Sequence, residues 1–438
     1  MRQTKSIIPT FEFHDRSGIQ TFLEKQAKKG WMLENLGKYR WKFRREEPKT
    51  IHFAVVYFPE ADLFDPAPGE QEETFREFCT HGGWNLAASN AQIQIFWSER
   101  ENPIPIETDP LLEVENIHRA MKKGSLPGYW LLILSALLQL WVQGRAIHNN
   151  VLQYLSHGFN LLMAATWSIL LFLLVYHLVH YYRWHRKAQV MAREQNVFPE
   201  TRSARWLTNI LTALLSLGFI AVIVTMENKS HALLLLLSVA AVYGIMAVTE
   251  LLRKKMQKDG WDAHTNRKTT LIATVVLVLI LYFVLAPAMA DVLDMDTRED
   301  REETLAVTIW DLLGGEAEDY GVFYLTDQES CLLQYKQIHQ YPKGSSNTNL
   351  QYELVNVKMP FLYEFCLERL MGVPAYIENG AYREIDPTPW GADRVWQLYE
   401  GEKERAWYVL CYGDTIMEII PTWAFTEEQI AIIAESMK

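Results

Sequence analysis

The sequence predicts a multi-domain membrane protein. It comprises an N-terminal α+β domain built from a strand–helix–strand–strand unit written twice, a central α-helical bundle of about five transmembrane helices, and a C-terminal α/β extracytoplasmic domain. Three observations predict it. Long apolar runs follow Gly124. A helix ending in Gly-Trp occurs twice ahead of them. The formal net charge of −11 is the sum of unlike parts: roughly −2 over residues 1–125, roughly +8 over 126–290 and roughly −17 over 291–438.

The cytoplasmic domain is expected over residues 1–110. Phe22-Leu-Glu-Lys-Gln-Ala-Lys-Lys-Gly-Trp31 corresponds to Phe75-Arg-Glu-Phe-Cys-Thr-His-Gly-Gly-Trp84. Each is preceded by a strand-like run, Ile7–Phe13 or Ile51–Phe58, and followed by two more. Ile19, Phe22, Leu23 and Ala27 share one helical face, as do Phe75, Phe78 and Cys79 in the second copy. Asp15 suits an N-cap, and Gly30 and Gly83 suit left-handed C-caps. Trp31 and Trp84 would then turn back and pack in equivalent buried places on one antiparallel sheet. Pro103, Pro105 and Pro110 make the following stretch an extended linker. Residues 111–125 read as an amphipathic juxtamembrane helix.

The stretch from Gln20 to Leu33, with Tyr39-Arg-Trp-Lys-Phe and Gln94-Ile-Phe-Trp-Ser-Glu-Arg-Glu-Asn-Pro, resembles a bacterial family of membrane proteins, domain-of-unknown-function family 2812 (DUF2812), over roughly the first 110 residues. The resemblance implies membrane spans after the domain. It also implies a regulatory context, since such proteins are described near PadR-type transcriptional regulators. It assigns no catalytic residue.

The membrane region is expected at 126–290, with spans near 126–142, 158–182, 206–226, 232–252 and 270–290. Each is long enough to cross about 30 Å of hydrocarbon at about 1.5 Å per residue. Arg183, Arg186, Lys187, Arg193, Arg202 and Arg205 crowd one connection, and Arg253, Lys254, Lys255, Lys258, Arg267 and Lys268 another. The alternate connections carry Arg145 and Lys229. Basic loops stay in the cytoplasm, so the N-terminus is expected inside and the C-terminus outside. The polar start, Met1 to Thr10, has no apolar core of a signal peptide. An acidic linker is expected at 291–303.

Residues 304–438 read as a mixed α/β domain. Strands are expected at Cys331–Ile338, Leu350–Val357, Val395–Tyr399, Trp407–Tyr412 and Thr415–Ile420, with a helix at Phe361–Met371. Gly413-Asp414 makes a tight hairpin, and Thr426-Glu-Glu-Gln429 a capping box. Cys331, Cys366 and Cys411 leave one disulfide or buried free thiols as alternatives.

Chemistry is sparse. His177 and His180 share a helix face, with His185 beyond. Half a metal site is visible there, but Tyr176, Tyr181, Tyr182 and Trp184 favour an interfacial belt of amphipathic rings. His14, His52, His81, His118 and His264 follow no recognised spacing, and His339 is the one imidazole of the outer domain. Asp386, Asp393 and Asp414 lack calcium-loop spacing. No catalytic, cofactor-binding or metal-ligating residue is therefore assigned, and no cofactor. The expectation is a non-enzymatic signalling, sensory or scaffold protein linking an outer binding domain to a cytoplasmic partner-binding domain. The alternatives are an accessory subunit of a transporter or exporter, and an envelope hydrolase. Its expected partners are the lipid bilayer and a cytoplasmic protein, a regulator by family context. Nucleic acid is excluded because no soluble part is strongly basic.

Overall fold

The computed structural model describes residues 3–37, 40–201, 205–225, 229–295, 305–316, 320–343 and 348–437. The chain begins β1 (Thr4–Ile7), α1 (Arg16–Ala27), β2 (Trp31–Leu36), β3 (Trp41–Arg45). The same order follows in β4 (His52–Tyr57), α2 (Glu70–His81), β5 (Asn85–Asn90) and β6 (Ile93–Ser98). Then come the helices α3 (Pro110–Lys123), α4 (Leu126–Asn149), α5 (Val151–Ser156), α6 (Gly158–Gln195), α7 (Arg205–Thr225), α8 (Lys229–Lys258) and α9 (Ala263–Met295). The C-terminal part contains α10 (Ile309–Leu313), β7 (Tyr320–Glu329), β8 (Leu333–Pro342), β9 (Leu350–Val357), α11 (Tyr363–Leu370), β10 (Gly380–Ile385), β11 (Arg394–Glu400), β12 (Lys403–Tyr412), β13 (Thr415–Pro421) and α12 (Glu427–Ser436). Two compact units result: Met1–Gln139 with Thr166–Met289, and Leu140–Ala165 with Ala290–Lys438.

In the first unit the N-terminal strands form two three-stranded antiparallel sheets, β1-β3-β2 and β4-β6-β5. The expected single sheet is not formed. The strands that approach each other, β2 and β5, each carry a register shift, at Leu33/Asn35 and at Leu86/Ala88. Such a bulge twists a strand and interrupts its free edge. Asp15 caps α1 through a hydrogen bond from the Gly18 amide, 3.0 Å. Gly83 has φ +87°, and the Trp84 amide reaches back to the Cys79 carbonyl at 3.0 Å, closing α2 with a Schellman turn. The core face of α2 is Phe75 and Cys79. Phe78, expected there, is 66% exposed, because a face centred on an i, i+4 pair leaves i+3 at its margin.

The two Gly-Trp tryptophans are also unlike. Trp84 is buried and donates its indole N–H to the Ile104 carbonyl at 2.8 Å, under the proline-rich linker. Trp31 is half-buried and is covered instead by the cations of Arg45 and Lys5, 5.0 and 5.6 Å from its ring centre. The connection after β3 passes over Gly30, with the Glu46 amide 3.1 Å from the Gly30 carbonyl, and leaves Trp31 part-exposed.

Among the described residues, four helices are long and apolar enough to cross a membrane: α4, α6, α8 from Ala232, and α9 as far as Val284. The described residues of α7 supply a shorter apolar stretch, Thr208–Ala221. In α6 the positions Leu174, Leu178, Tyr181, Trp184, Ala188 and Ala192 make a stripe at helical spacing, buried in one core with Leu23, Phe43 and Tyr57 of the N-terminal domain and Ile117 of α3. Each large apolar side chain so buried contributes ~1.5–3 kcal/mol. The far half of α6 is thus a platform for the domain. The acidic linker expected at 291–303 overlaps the end of α9, and from residue 296 it lies outside the described residues.

The second unit is a seven-stranded, wholly antiparallel sheet, ordered β10-β11-β12-β13-β9-β8-β7. This corrects the expected α/β class, since parallel pairing would need crossover helices between neighbours. Tight turns do the joining instead: Tyr412 faces Thr415 across Gly413-Asp414, with Gly413 at φ +55°. Ile309, Leu312 and Ile433 cover one face, and Leu367, Leu370 and Leu152 the other. The capping box is formed, with both Thr426 and Gln429 engaged. Leu152 belongs to α5, so the connection after α4 packs on this sheet. The Ser330 hydroxyl bonds the Leu155 carbonyl at 2.7 Å, and Asn150 donates to the Tyr335 hydroxyl at 3.2 Å.

Candidate metal centre

The site is built on Glu12 and His14, in the short turn between β1 and α1, and on His177 and His180 of α6. The turn is fixed from within. The Asp15 amide bonds the Glu12 carbonyl at 3.0 Å, and the Phe13 carbonyl accepts the Tyr57 hydroxyl at 2.5 Å. Asp15 also takes a hydrogen bond from the Thr201 hydroxyl at 2.9 Å, which ties the turn to the connection after α6.

The Glu12 carboxylate faces three imidazoles. His177 Nδ1 lies 2.9 Å from Oε1, and His180 Nδ1 lies 3.2 Å from Oε2. His14 Nε2 lies 3.4 Å from the same Oε2. On its other side the His177 ring meets the Thr208 hydroxyl of α7, Nε2 to Oγ1 3.2 Å. His14 packs against the Tyr181 and Trp184 rings at 5.2 and 4.8 Å, and His180 against Tyr176. The Glu12 and His14 side chains are 8% and 3% exposed and that of His180 31%, so one wall of the cluster is open.

Electrostatics divides these groups. Burial pushes the Glu12 carboxyl up, but the His177 hydrogen bond and the three imidazoles outweigh it and hold the carboxyl below its ordinary value. Burial pushes His14 down to about 4, against the attraction of Glu12. At neutral pH His14 is therefore an uncharged imidazole with a lone pair to offer. A carboxylate ringed by imidazoles can act as a hydrogen-bonded clamp or as a ligand set. The donor atoms of Glu12, His14 and His180 all lie within 4.8 Å of one another.

The structure thus joins the half-site His177/His180 to a Glu-x-His pair that sequence reasoning had scattered among unrelated histidines. His185 goes elsewhere. It stacks on His118 of α3 at 4.1 Å, and His118 in turn meets the Tyr181 hydroxyl at 2.6 Å. Asp386 serves a turn, accepting from the Thr388 amide and hydroxyl, and Asp393 accepts from the Gly413 amide at 2.7 Å. The four cysteines are free. Cys79, Cys366 and Cys411 are buried and their thiols pushed up by burial, while Cys331 is exposed.

No curated protein and no solved structure matches the chain. A family model does match, from the first residue of α1 to the first of α4, leaving Glu12, His14, His177 and His180 outside the matched segment. Residues 16–126 are accordingly similar to the family described as "Protein of unknown function (DUF2812)".

Proposed function

We propose that the chain is a multi-pass membrane protein of non-enzymatic signalling or scaffold type. Its duplicated N-terminal domain lies in the cytoplasm and engages a protein partner, and its C-terminal sheet lies outside and captures a ligand. The observation that carries this reading is the shared core between the N-terminal domain and α6. A domain packed so extensively on a membrane helix is suited to feel that helix move.

The contacts within each unit support five crossings with this orientation. The N-terminal domain touches the connection after α6 through Asp15 and Thr201. It touches the α8–α9 region through Asp62 with Arg267, and through the Leu63 carbonyl with Arg253 at 2.5 Å. The connection between α4 and α6 packs on the C-terminal sheet. That alternation is what α4, α6, α7, α8 and α9 produce if each crosses once, and the basic connections are the ones on the N-terminal domain's side. The matching strand–helix–strand–strand orders and sheet orders support duplication of the domain.

Cross-linking of the full chain in native membranes tests the proposal. Recovery of the same cytoplasmic protein in repeated preparations, lost on deletion of residues 1–110, supports it. Turnover of glycans, peptides or phosphoesters by the purified chain, abolished by one Asp or Glu substitution, overturns it.

A further inference from the structure

We propose that Glu12, His14 and His180 bind a divalent first-row transition-metal ion, with zinc the reference case. A tetrahedral ion held at about 2.0–2.1 Å by nitrogen and oxygen donors keeps those donors about 3.3 Å apart. His14 Nε2 and His180 Nδ1 stand 3.4 and 3.2 Å from one and the same oxygen, Glu12 Oε2. Two of the three donor separations are those of a ligand set, and the third, between the His14 and His180 nitrogens, is within 4.8 Å.

The other carboxylate oxygen explains why His177 is not a fourth ligand. Its Nδ1 lies 2.9 Å from Oε1, a hydrogen bond, and its Nε2 accepts from Thr208. His177 is a positioning residue: it turns the carboxylate so that Oε2 points at the two remaining imidazoles. A ligating carboxylate commonly has such a partner, which fixes its orientation. The Tyr181 and Trp184 rings fix the plane of His14 in the same way.

Two imidazole nitrogens and one carboxylate oxygen suit zinc, cobalt, nickel or ferrous iron better than magnesium or calcium, which prefer oxygen alone. Three protein ligands leave one coordination position for water. The side chain of His180 is 31% exposed, so that position faces the open wall of the cluster. Bound metal would fasten the turn before α1 to α6, a lock between the N-terminal domain and its platform. The proposal goes beyond the signalling reading and does not depend on it, since the site would bind its ion in a protein of any function.

The experiment uses the full chain in detergent, stripped with a chelator and then titrated with Zn²⁺ and, separately, with Co²⁺ for its visible spectrum. One ion per chain is expected, with the intense Co²⁺ bands of a four-coordinate site. His180→Asn and Glu12→Gln should weaken binding by about 100-fold or more and bleach those bands, and His177→Gln by about 10- to 100-fold. His185→Asn should leave binding unchanged. Should His14→Ala fail to fold, His180→Asn keeps the test open, because that side chain is part-exposed on a long helix and its variant's unfolding can be compared without metal. Wild-type affinity in His180→Asn overturns the proposal. So does a wild-type chain that takes up no ion, which would make the cluster a hydrogen-bonded clamp only.

Discussion

Glu418 shows how far a single side chain can depart from its apparent role. In the sequence it is one of many acidic residues of the C-terminal domain. In the sheet it is buried, accepts the Trp407 indole N–H at 2.7 Å, and stands opposite Glu353 on β9. Burial pushes its carboxyl up to about 8, with the nearby Glu353 adding to the rise and the Trp407 bond opposing it. A carboxyl raised on folding contributes stability that is complete below its ordinary value of 4.5 and is lost as pH rises through about 8. The unfolding midpoint of the C-terminal unit, followed in the full chain, should therefore fall between about pH 5 and about pH 9, and Glu418→Gln should flatten that fall. An equal fall in both proteins would count against the assignment. The Gly-Trp pair gives a second test. Trp84→Ala should cost ~3–5 kcal/mol and Trp31→Ala only ~1 kcal/mol, read from chemical denaturation of the N-terminal unit. Equal costs would mean that the linker over Trp84 contributes nothing. What the sequence hid at this scale was partnership across distance: Glu12 and His177 are 165 positions apart, and no local spacing expresses that.

Among the elements, those with strong periodicity were legible. The long apolar helices, β9, β13 and the capping box of α12 lie where alternation, length and turn residues put them, while β12 starts at Lys403, ahead of the expected Trp407. β10 was not legible, because Gly380, Arg383 and Glu384 give an edge strand with no apolar alternation. α5 was missed because six residues are too few to display a helical period. That short helix is nonetheless part of a core. Leu152 is 4% exposed beside Leu333 and Tyr335, so Leu152→Ala should cost ~2–5 kcal/mol and speed hydrogen exchange along β8. Unchanged exchange in β8 would mean that α5 is not integral to the sheet. The separation of the N-terminal strands into two sheets was also beyond sequence reasoning. Bulges arise from backbone fit between neighbours rather than from composition.

For the whole molecule, orientation is the property on which every functional reading turns. Cys331 is exposed in the C-terminal unit, whereas Cys79, Cys366 and Cys411 are buried. A maleimide that cannot cross membranes should therefore label intact cells at Cys331 and fail on Cys331→Ser. Labelling that requires permeabilised cells would reverse the proposed topology. The core shared by the N-terminal domain and α6 has a further consequence, in time rather than space. The ribosome delivers Glu12 first and His177 only 165 residues later, an interval of roughly ten to thirty seconds at ordinary synthesis rates. For that interval Leu23, Phe43, Tyr57 and Ile117 lack the helix that seals them. The newborn domain keeps that apolar surface uncovered until α6 has emerged to seal it. On the proposed membrane topology, completion of the first domain is thereby coupled to the insertion of α6.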